Sequence, residues 1–266
     1  MLPEQPAAGS AAGQRGRQRM DTDLVVLIAG ALAGSLTFGI AGFSFGIVAS
    51  AIWLQAFAPA SIVALVIVIP LAMNLILLPR FRRHFAWRRM LPFAVGSTLG
   101  VPLGALALAR LDASTVRVAI GSVLVGYALL ALRMPRGLRI RVPALAGPAA
   151  DTTVGFVGGV MGGTSGLSII VPALWWSARG WSKEEQRAIA QPFGMYTHLI
   201  TIACIAGIVG FREDTGRLLA WALPIALFGM FLGLKVFDRL SGEGFNRALL
   251  WIALAGGALL VARAAT

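Results

Sequence analysis

Residues 24–57, LVVLIAGALAGSLTFGIAGFSFGIVASAIWLQAF, and residues 152–178, TTVGFVGGVMGGTSGLSIIVPALWWSA, contain no charged side chain. Each apolar run is interrupted in its middle by glycines: Gly39, Gly42 and Gly46 in the first, Gly162, Gly163 and Gly166 in the second. Gly34 and Gly159 precede the interruptions at similar intervals, so the runs align at an offset of roughly 125 residues, about half the chain. Paired, glycine-broken apolar segments in corresponding places of two halves are the strongest sequence pointer to the binding site of a secondary transporter.

Composition leaves little room for a soluble domain. The mean hydropathy is +0.81, and 58% of residues are hydrophobic. Apolar blocks occupy 24–57, 60–79, 91–109, 116–132, 144–178, 191–210, 218–237 and 247–263, most of them near the ~20 residues a membrane helix needs. The spacing predicts an all-α polytopic membrane protein of about eight hydrophobic segments. These fall into two repeated four-segment halves, 24–132 and 144–263, joined by a basic loop at 133–143. Segments one and five are the ones broken by Gly-rich turns. Residues 1–22, rich in Ala, Gly, Gln and Arg, read as a disordered tail. The first apolar run is too long for a secretory h-region, so cleavage at Ala49-Ser50-Ala51 is not expected. The single cysteine, Cys204, lies in an apolar block and reads as a small packed hydrophobe.

The formal net charge is +12, and no Lys or Arg falls between residues 24 and 79. Arg80, Arg82, Arg83, Arg88 and Arg89 cluster in one short loop, and Arg133, Arg136, Arg139 and Arg141 in another. Short basic loops beside apolar segments mark the cytoplasmic side and favour anionic headgroups. Nucleic acid is therefore not an expected partner. If the broken segments span, the N-terminus, loop 211–217 and the C-terminus join these loops; if they dip in and return, loops 179–190 and 235–247 join instead. Both arrangements leave the same basic excess on the cytoplasmic side, so charge counting leaves the choice open.

Further spacings repeat. Gly100 and Gly104 followed by Arg110-Leu111 match Gly229 and Gly233 followed by Arg239-Leu240; Pro70 and Asn74 align with Pro192 and Tyr196.

The chemistry follows from the breaks. Non-helical backbone at membrane depth persists only where protein buries it or a polar cavity receives it. A helix that resumes after such a break aims free N–H groups and partial positive charge forward, as an anion site requires. Ser44, Thr164, Ser165 and Ser168 supply hydroxyls beside the breaks. Asn74, Tyr196 and His198 are polar residues inside other blocks, which marks them as candidates. The candidate substrate site is thus Gly39, Gly42, Ser44, Asn74, Gly162, Gly163, Thr164, Ser165, Gly166, Ser168, Tyr196 and His198. The bland alternative is that the small residues only let helices pack closely. A rival functional reading makes Ser165 the nucleophile and His198 the base of a rhomboid-like intramembrane serine protease. The missing serine in the first break, and Asn74 without a partner histidine, argue against it.

The run Gly159-Gly-Val-Met-Gly-Gly-Thr-Ser-Gly-Leu-Ser-Ile-Ile-Val-Pro172-Ala-Leu, the basic loop 82–89 with Leu91-Pro92, and the Gly100/Gly104 and Gly229/Gly233 pairs resemble the sulfite exporter TauE/SafE family over residues 24–263. The resemblance implies a duplicated multi-pass permease of the bacterial inner membrane, not an enzyme. It would move sulfite, a sulfonate or a related organic anion. The chain departs from the pattern in Phe43-Ser44-Phe45-Gly46 and in Thr164-Ser165. Expected partners are a small anion, membrane lipids at the basic loops and, as a candidate, a second copy of the chain in a homodimer. No cofactor or metal is expected. Export suits a chain whose carboxylates lie in the tail, in loops or at block ends, Asp151 nearest the breaks, because the membrane potential alone favours anion exit.

Overall fold

The computed structural model describes residues 8–42, 44–135, 140, 143, 146–240 and 243–264. Among them there are helices and turns and no strand. The α-helices are α1 (Ala8–Ala41), α2 (Phe45–Trp53), α3 (Pro59–Phe81), α4 (Trp87–Arg110), α5 (Ala113–Arg133), α6 (Gly147–Ser165), α7 (Ile170–Ala178), α8 (Lys183–Cys204), α9 (Glu213–Leu240) and α10 (Glu243–Ala264). Short turns at Arg82–His84 and Ile205–Val209 complete the elements. Every apolar block contributes helix, and among the described residues six stretches are long and apolar enough to cross a membrane. The fold is an all-α polytopic membrane fold.

Local chemistry places the ends. Pro59 opens α3, where its missing N–H costs nothing. Asp112 caps α5 by accepting from the N–H groups of Ser114 and Thr115, both at 2.9 Å. Ser182 and Glu185 form a reciprocal capping box that starts α8.

Two corrections concern the tail and the connecting loop. Residues 1–7 lie outside the described residues, but 8–22, expected to be disordered, form the first turns of α1. Their Ala, Gln and Arg content favours helix once α1 supplies a nucleus to extend. The basic loop 133–143 begins with Arg133 as the last residue of α5, and residues 136–139 and 141–142 lie outside the described residues.

Both broken segments are hairpins. α1 stops at Gly42, whose N–H reaches the Phe38 carbonyl at 2.7 Å with φ +89°. α2 then runs back along α1. A Cβ on Gly34 would stand 3.0 Å from the Phe45 ring, and Trp53 Nε1 donates to the Leu27 carbonyl at 3.0 Å. α6 stops at Gly166 in the same way, its N–H 2.8 Å from the Gly162 carbonyl and φ +75°. α7 returns along α6: a Cβ on Gly158 would meet Pro172 Cδ at 3.1 Å, and Trp175 Nε1 donates to Asp151 at 2.7 Å. Glycine ends both helices because only it takes a left-handed angle without Cβ strain.

The hairpins enter from opposite ends of the bundle. The open end of α1–α2 meets the starts of α3, α5 and α9. Arg117 donates to the Phe57 carbonyl at 3.2 Å, and Ser61 donates to Asp214 at 2.9 Å. The open end of α6–α7 meets the starts of α4 and α8, where Arg89 pairs with Glu185 at 2.9 Å and the Ala86 N–H reaches the Ala188 carbonyl at 3.1 Å.

The halves interlock. α4 packs on α6, α1 on α9, and α5 on α10, each pair joining one half to the other. Small residues allow the approach. A Cβ on Gly100 or Gly104 would collide with α6 backbone, and one on Gly233 would collide with the Leu36 carbonyl. Leu91, Val95, Leu99 and Leu103 form an exposed stripe on α4 at four-residue spacing, an apolar face suited to lipid.

Candidate functional site

The two hairpin tips meet. A Cβ on Gly46, in the first turn of α2, would touch Leu167 Cδ2 from the second tip at 2.9 Å and Val66 Cγ1 of α3 at the same distance. Between the tips lies a cavity of about 30 Å³, room for roughly two water molecules. Phe38, Gly42, Phe45, Gly46 and Ile47 line it from the first hairpin, and Gly166, Leu167, Ser168, Ile169 and Ile170 from the second. Val66, Pro70 and Asn74 of α3 and His198 of α8 complete the wall.

The first turns of both α2 and α7 thus face one small space. The first N–H groups of a helix have no intrahelical acceptor, so each tip presents donors and the positive end of a dipole. The lining contains no carboxylate, and His198 is its titratable member. This combination of donors, small volume and no negative charge can hold a small anion.

The candidate residues separate into two groups. Gly42, Asn74, Gly166, Ser168 and His198 line the cavity. Ser44 stands between Gly42 and Phe45, 4% exposed, with a buried hydroxyl that has no hydrogen-bond partner. Ser168 is paired: its Oγ lies 2.9 Å from Thr197 Oγ1.

The other candidates go elsewhere. Gly39 faces α9, where a Cβ would stand 2.6 Å from the Met230 carbonyl, and Gly163 faces the α4 backbone. These two are packing glycines. Gly162 lies behind Ser168, its own Cβ position 3.0 Å from Ser168 Cβ. Thr164 Oγ1 donates to the Val160 carbonyl at 2.5 Å, and Ser165 Oγ to the Met161 carbonyl at 2.7 Å, so both hydroxyls are returned to their own helix. Tyr196 turns to α4, its hydroxyl 2.7 Å from Thr98 Oγ1.

The register of the second segments also differs from the expected one. Asn74 shares the cavity with His198, not with Tyr196. That spacing is 124 residues (198 minus 74), the same as Gly42 to Gly166 and Ser44 to Ser168. The Pro70–Pro192 alignment misplaced it by two residues, enough to turn a helical side chain to another face.

Among the described residues, no hydrogen bond joins Ser165 to His198, and the Ser165 hydroxyl is committed to a backbone carbonyl. The serine–histidine dyad is not assembled.

One residue at the site carried no expectation. Arg187 of α8 lies against Gly42: a Cβ there would stand 2.8 Å from its Nε and 3.3 Å from its NH2. Its position in a charged stretch suggested a loop. The available signal was its spacing of eleven residues from His198, which returns to nearly the same helical face.

No curated protein and no solved structure matches the chain. A family model does: the one described as sulfite exporter TauE/SafE matches residues 26–260, nearly the whole chain. Glycine-broken hairpins, long apolar helices and this match agree, and the chain belongs to the sulfite exporter TauE/SafE family of multi-pass membrane transporters.

Proposed function

We propose that the chain is a permease of the cytoplasmic membrane that exports a small anion, sulfite or a sulfonate or related organic anion, through the cavity between the hairpin tips. The single observation that carries this reading is that two helix N-termini, those of α2 and α7, face one cavity that no carboxylate lines. Backbone N–H groups of both tips hold the anion, Ser44 and Asn74 add donors, and His198 faces it from α8. The volume favours an ion of few heavy atoms over a bulky sulfonate.

The opposite entry of the hairpins supports an inverted-repeat design, with loops 80–90, 133–143, 179–190 and 235–247 on the cytoplasmic side. Rocking one interlocked unit against the other opens the cavity to each side in turn. An inside-negative potential then drives the anion out by about 2.3 kcal/mol per charge per 100 mV. Radiolabelled flux in proteoliposomes over sulfite, thiosulfate, sulfoacetate and acetate tests the reading. The expected result is saturable sulfite flux that responds to membrane potential; no flux for any anion overturns it.

A further inference from the structure

His198 is the titratable side chain in the wall of the cavity between the tips. It is 5% exposed, and among the described residues no hydrogen bond holds either ring nitrogen. A neutral imidazole offers one donor and one acceptor nitrogen; protonated, it offers two donors and a positive charge. A cavity of about 30 Å³ has no room for a hydration layer, so an anion held there touches the walls, His198 included.

The helices around His198 bring few other titratable groups. α1 from residue 24 onward, α2 and α7 carry none, and α4 carries none between Met90 and Ala109. On α3 the titratable residue is Arg80, six residues beyond Asn74. On α6 it is Asp151, held by Arg179 at 3.0 Å and by Trp175 at 2.7 Å. On α8 itself Tyr196 is turned to Thr98, Cys204 lies six residues on, and the charged residues from Lys183 to Arg187 lie eleven or more residues before. Arg187 is the charged side chain that comes against the wall, at Gly42. The repeat sets the count of protons. Asn74, 124 residues before His198 (198 minus 74), lines the same cavity. An amide donates and accepts but takes up no proton, so the two equivalent positions offer one proton site.

We propose that His198 takes up one proton with each anion on the side that loads the cavity, and that both leave together on the other side. This rests on the permease reading above. The proton passes from water to the acceptor nitrogen of the ring, and no bond of the anion changes. An anion touching the ring favours the imidazolium by Coulomb attraction, and the imidazolium favours the anion by the same factor. The charge moved is that of the anion plus one. A dianion still leaves down the potential with one negative charge, whereas a monoanion moves none and gains nothing from it. The site therefore selects small divalent oxyanions for export, sulfite among them.

The test places sulfite at equal total concentration on both sides of proteoliposomes, clamps the potential at zero with potassium and valinomycin, and imposes a pH difference. Wild-type protein should move sulfite toward the alkaline side, and an enclosed pH dye should report acidification of an alkaline lumen as it enters. His198→Gln should reverse the direction, because the uncoupled dianion is scarcer on the acidic side, where sulfite is partly protonated. Its half-saturating concentration should also rise about tenfold, the loss of one contact to a charged ligand. Wild-type movement toward the acidic side overturns the coupling, and this result needs no variant. A His198→Gln protein that still moves sulfite toward the alkaline side overturns it too, since the proton then rides on the anion alone. His198→Asn, which copies the Asn74 position, serves if the glutamine variant does not insert. Protein that moves no sulfite under any gradient overturns the permease reading and the coupling with it. Potential-driven flux without proton movement overturns the coupling alone.

Discussion

Ser168 and Thr197 meet hydroxyl to hydroxyl at 2.9 Å, and the residues 124 positions before them are Ser44 and Met73. Met73 is fully buried and offers no hydroxyl, and the Ser44 Oγ is buried without a hydrogen-bond partner. A buried hydroxyl without a partner costs free energy in the empty protein. The two tips are alike in backbone and unlike in what their serines are free to do. One serine ties its hairpin to α8; the other has a hydroxyl that, under the proposed function, donates to the anion.

The two serines should therefore respond differently to alanine. Ser168→Ala should lower stability by about 0.5–1.5 kcal/mol through the lost pair. Ser44→Ala should leave thermal unfolding unchanged or slightly raised. It should weaken sulfite half-saturation by a factor of about ten, the scale of a donor to a charged ligand. Thermal unfolding in detergent and flux in proteoliposomes measure the two. A destabilised Ser44→Ala with unchanged flux would show that the hydroxyl has a structural partner.

Gly166 and Ser165 are neighbours with opposite expectations. At φ +75°, any side chain at 166 is strained, and its Cβ would also stand 2.8 Å from Val66 Cγ1. Gly166→Ala should cost roughly 1 kcal/mol or more and reduce flux several-fold. Gly166→Leu should abolish flux even where the protein inserts. Ser165→Ala removes a hydroxyl already returned to the Met161 carbonyl, so flux should persist. Total loss on Ser165→Ala would bring back the nucleophile reading, because a catalytic serine tolerates no such change.

Sequence carried the broken segments and their pairing because left-handed turns at membrane depth demand glycine, and glycine is visible. It did not say which glycines. Gly42 and Gly166 turn the chain, whereas Gly39 and Gly163 let α1 approach α9 and α6 approach α4. That difference lies in which helix stands opposite, a tertiary fact. Asn74 was legible as a lone polar residue, but its counterpart His198 was hidden behind a two-residue register error anchored on proline. Arg187 was missed because its charge suggested a loop, although a long side chain near a helix end reaches inward as readily as outward.

The α4–α6 seam should be the least tolerant contact in the bundle. Gly96, Gly100 and Gly104 meet Gly155, Gly159 and Gly163 so closely that an added Cβ on any of them would strike backbone of the facing helix. Backbone cannot move aside as a flexible side chain can. Gly104→Val should prevent recovery of folded protein, while Gly126→Val on α5, with nothing within 4 Å, should be neutral. Size-exclusion profiles of the two variants in detergent give the comparison.

The open end of the second hairpin is closed by charge. Arg179 reaches both Asp151 oxygens, at 3.0 and 3.2 Å, and its guanidinium lies 5.0 Å from the Trp181 ring centre. Trp175 Nε1 completes the carboxylate at 2.7 Å. Asp151→Asn keeps the shape and removes the charge, leaving Arg179 without its counter-ion. The expected loss is roughly 1.5–3 kcal/mol, reduced somewhat by the partial exposure of the pair. Arg179→Met should cost less, because Trp175 still bonds the carboxylate. Unfolding midpoints of the two variants rank them.

The last prediction concerns how the hairpins enter the membrane. Position 22 lies twenty residues before the Gly42 turn, about 30 Å along α1 at 1.5 Å per residue. The α2 return packs beside α1 as far as Leu27, so the N-terminal part of α1 belongs to the same face as the starts of α3, α5 and α9. A single cysteine at Thr22 should then react with an impermeant maleimide from the same side as one at exposed Phe211, just before α9. A cysteine at exposed Arg88, at the start of α4, should react only from the other side. Cys204→Ala provides the background, since the native thiol is partly exposed. A spanning first segment would reverse one result: Thr22→Cys would label together with Arg88→Cys and apart from Phe211→Cys. Two hairpins entering from opposite faces allow only the first pattern, and an alternating-access cavity at their tips requires it.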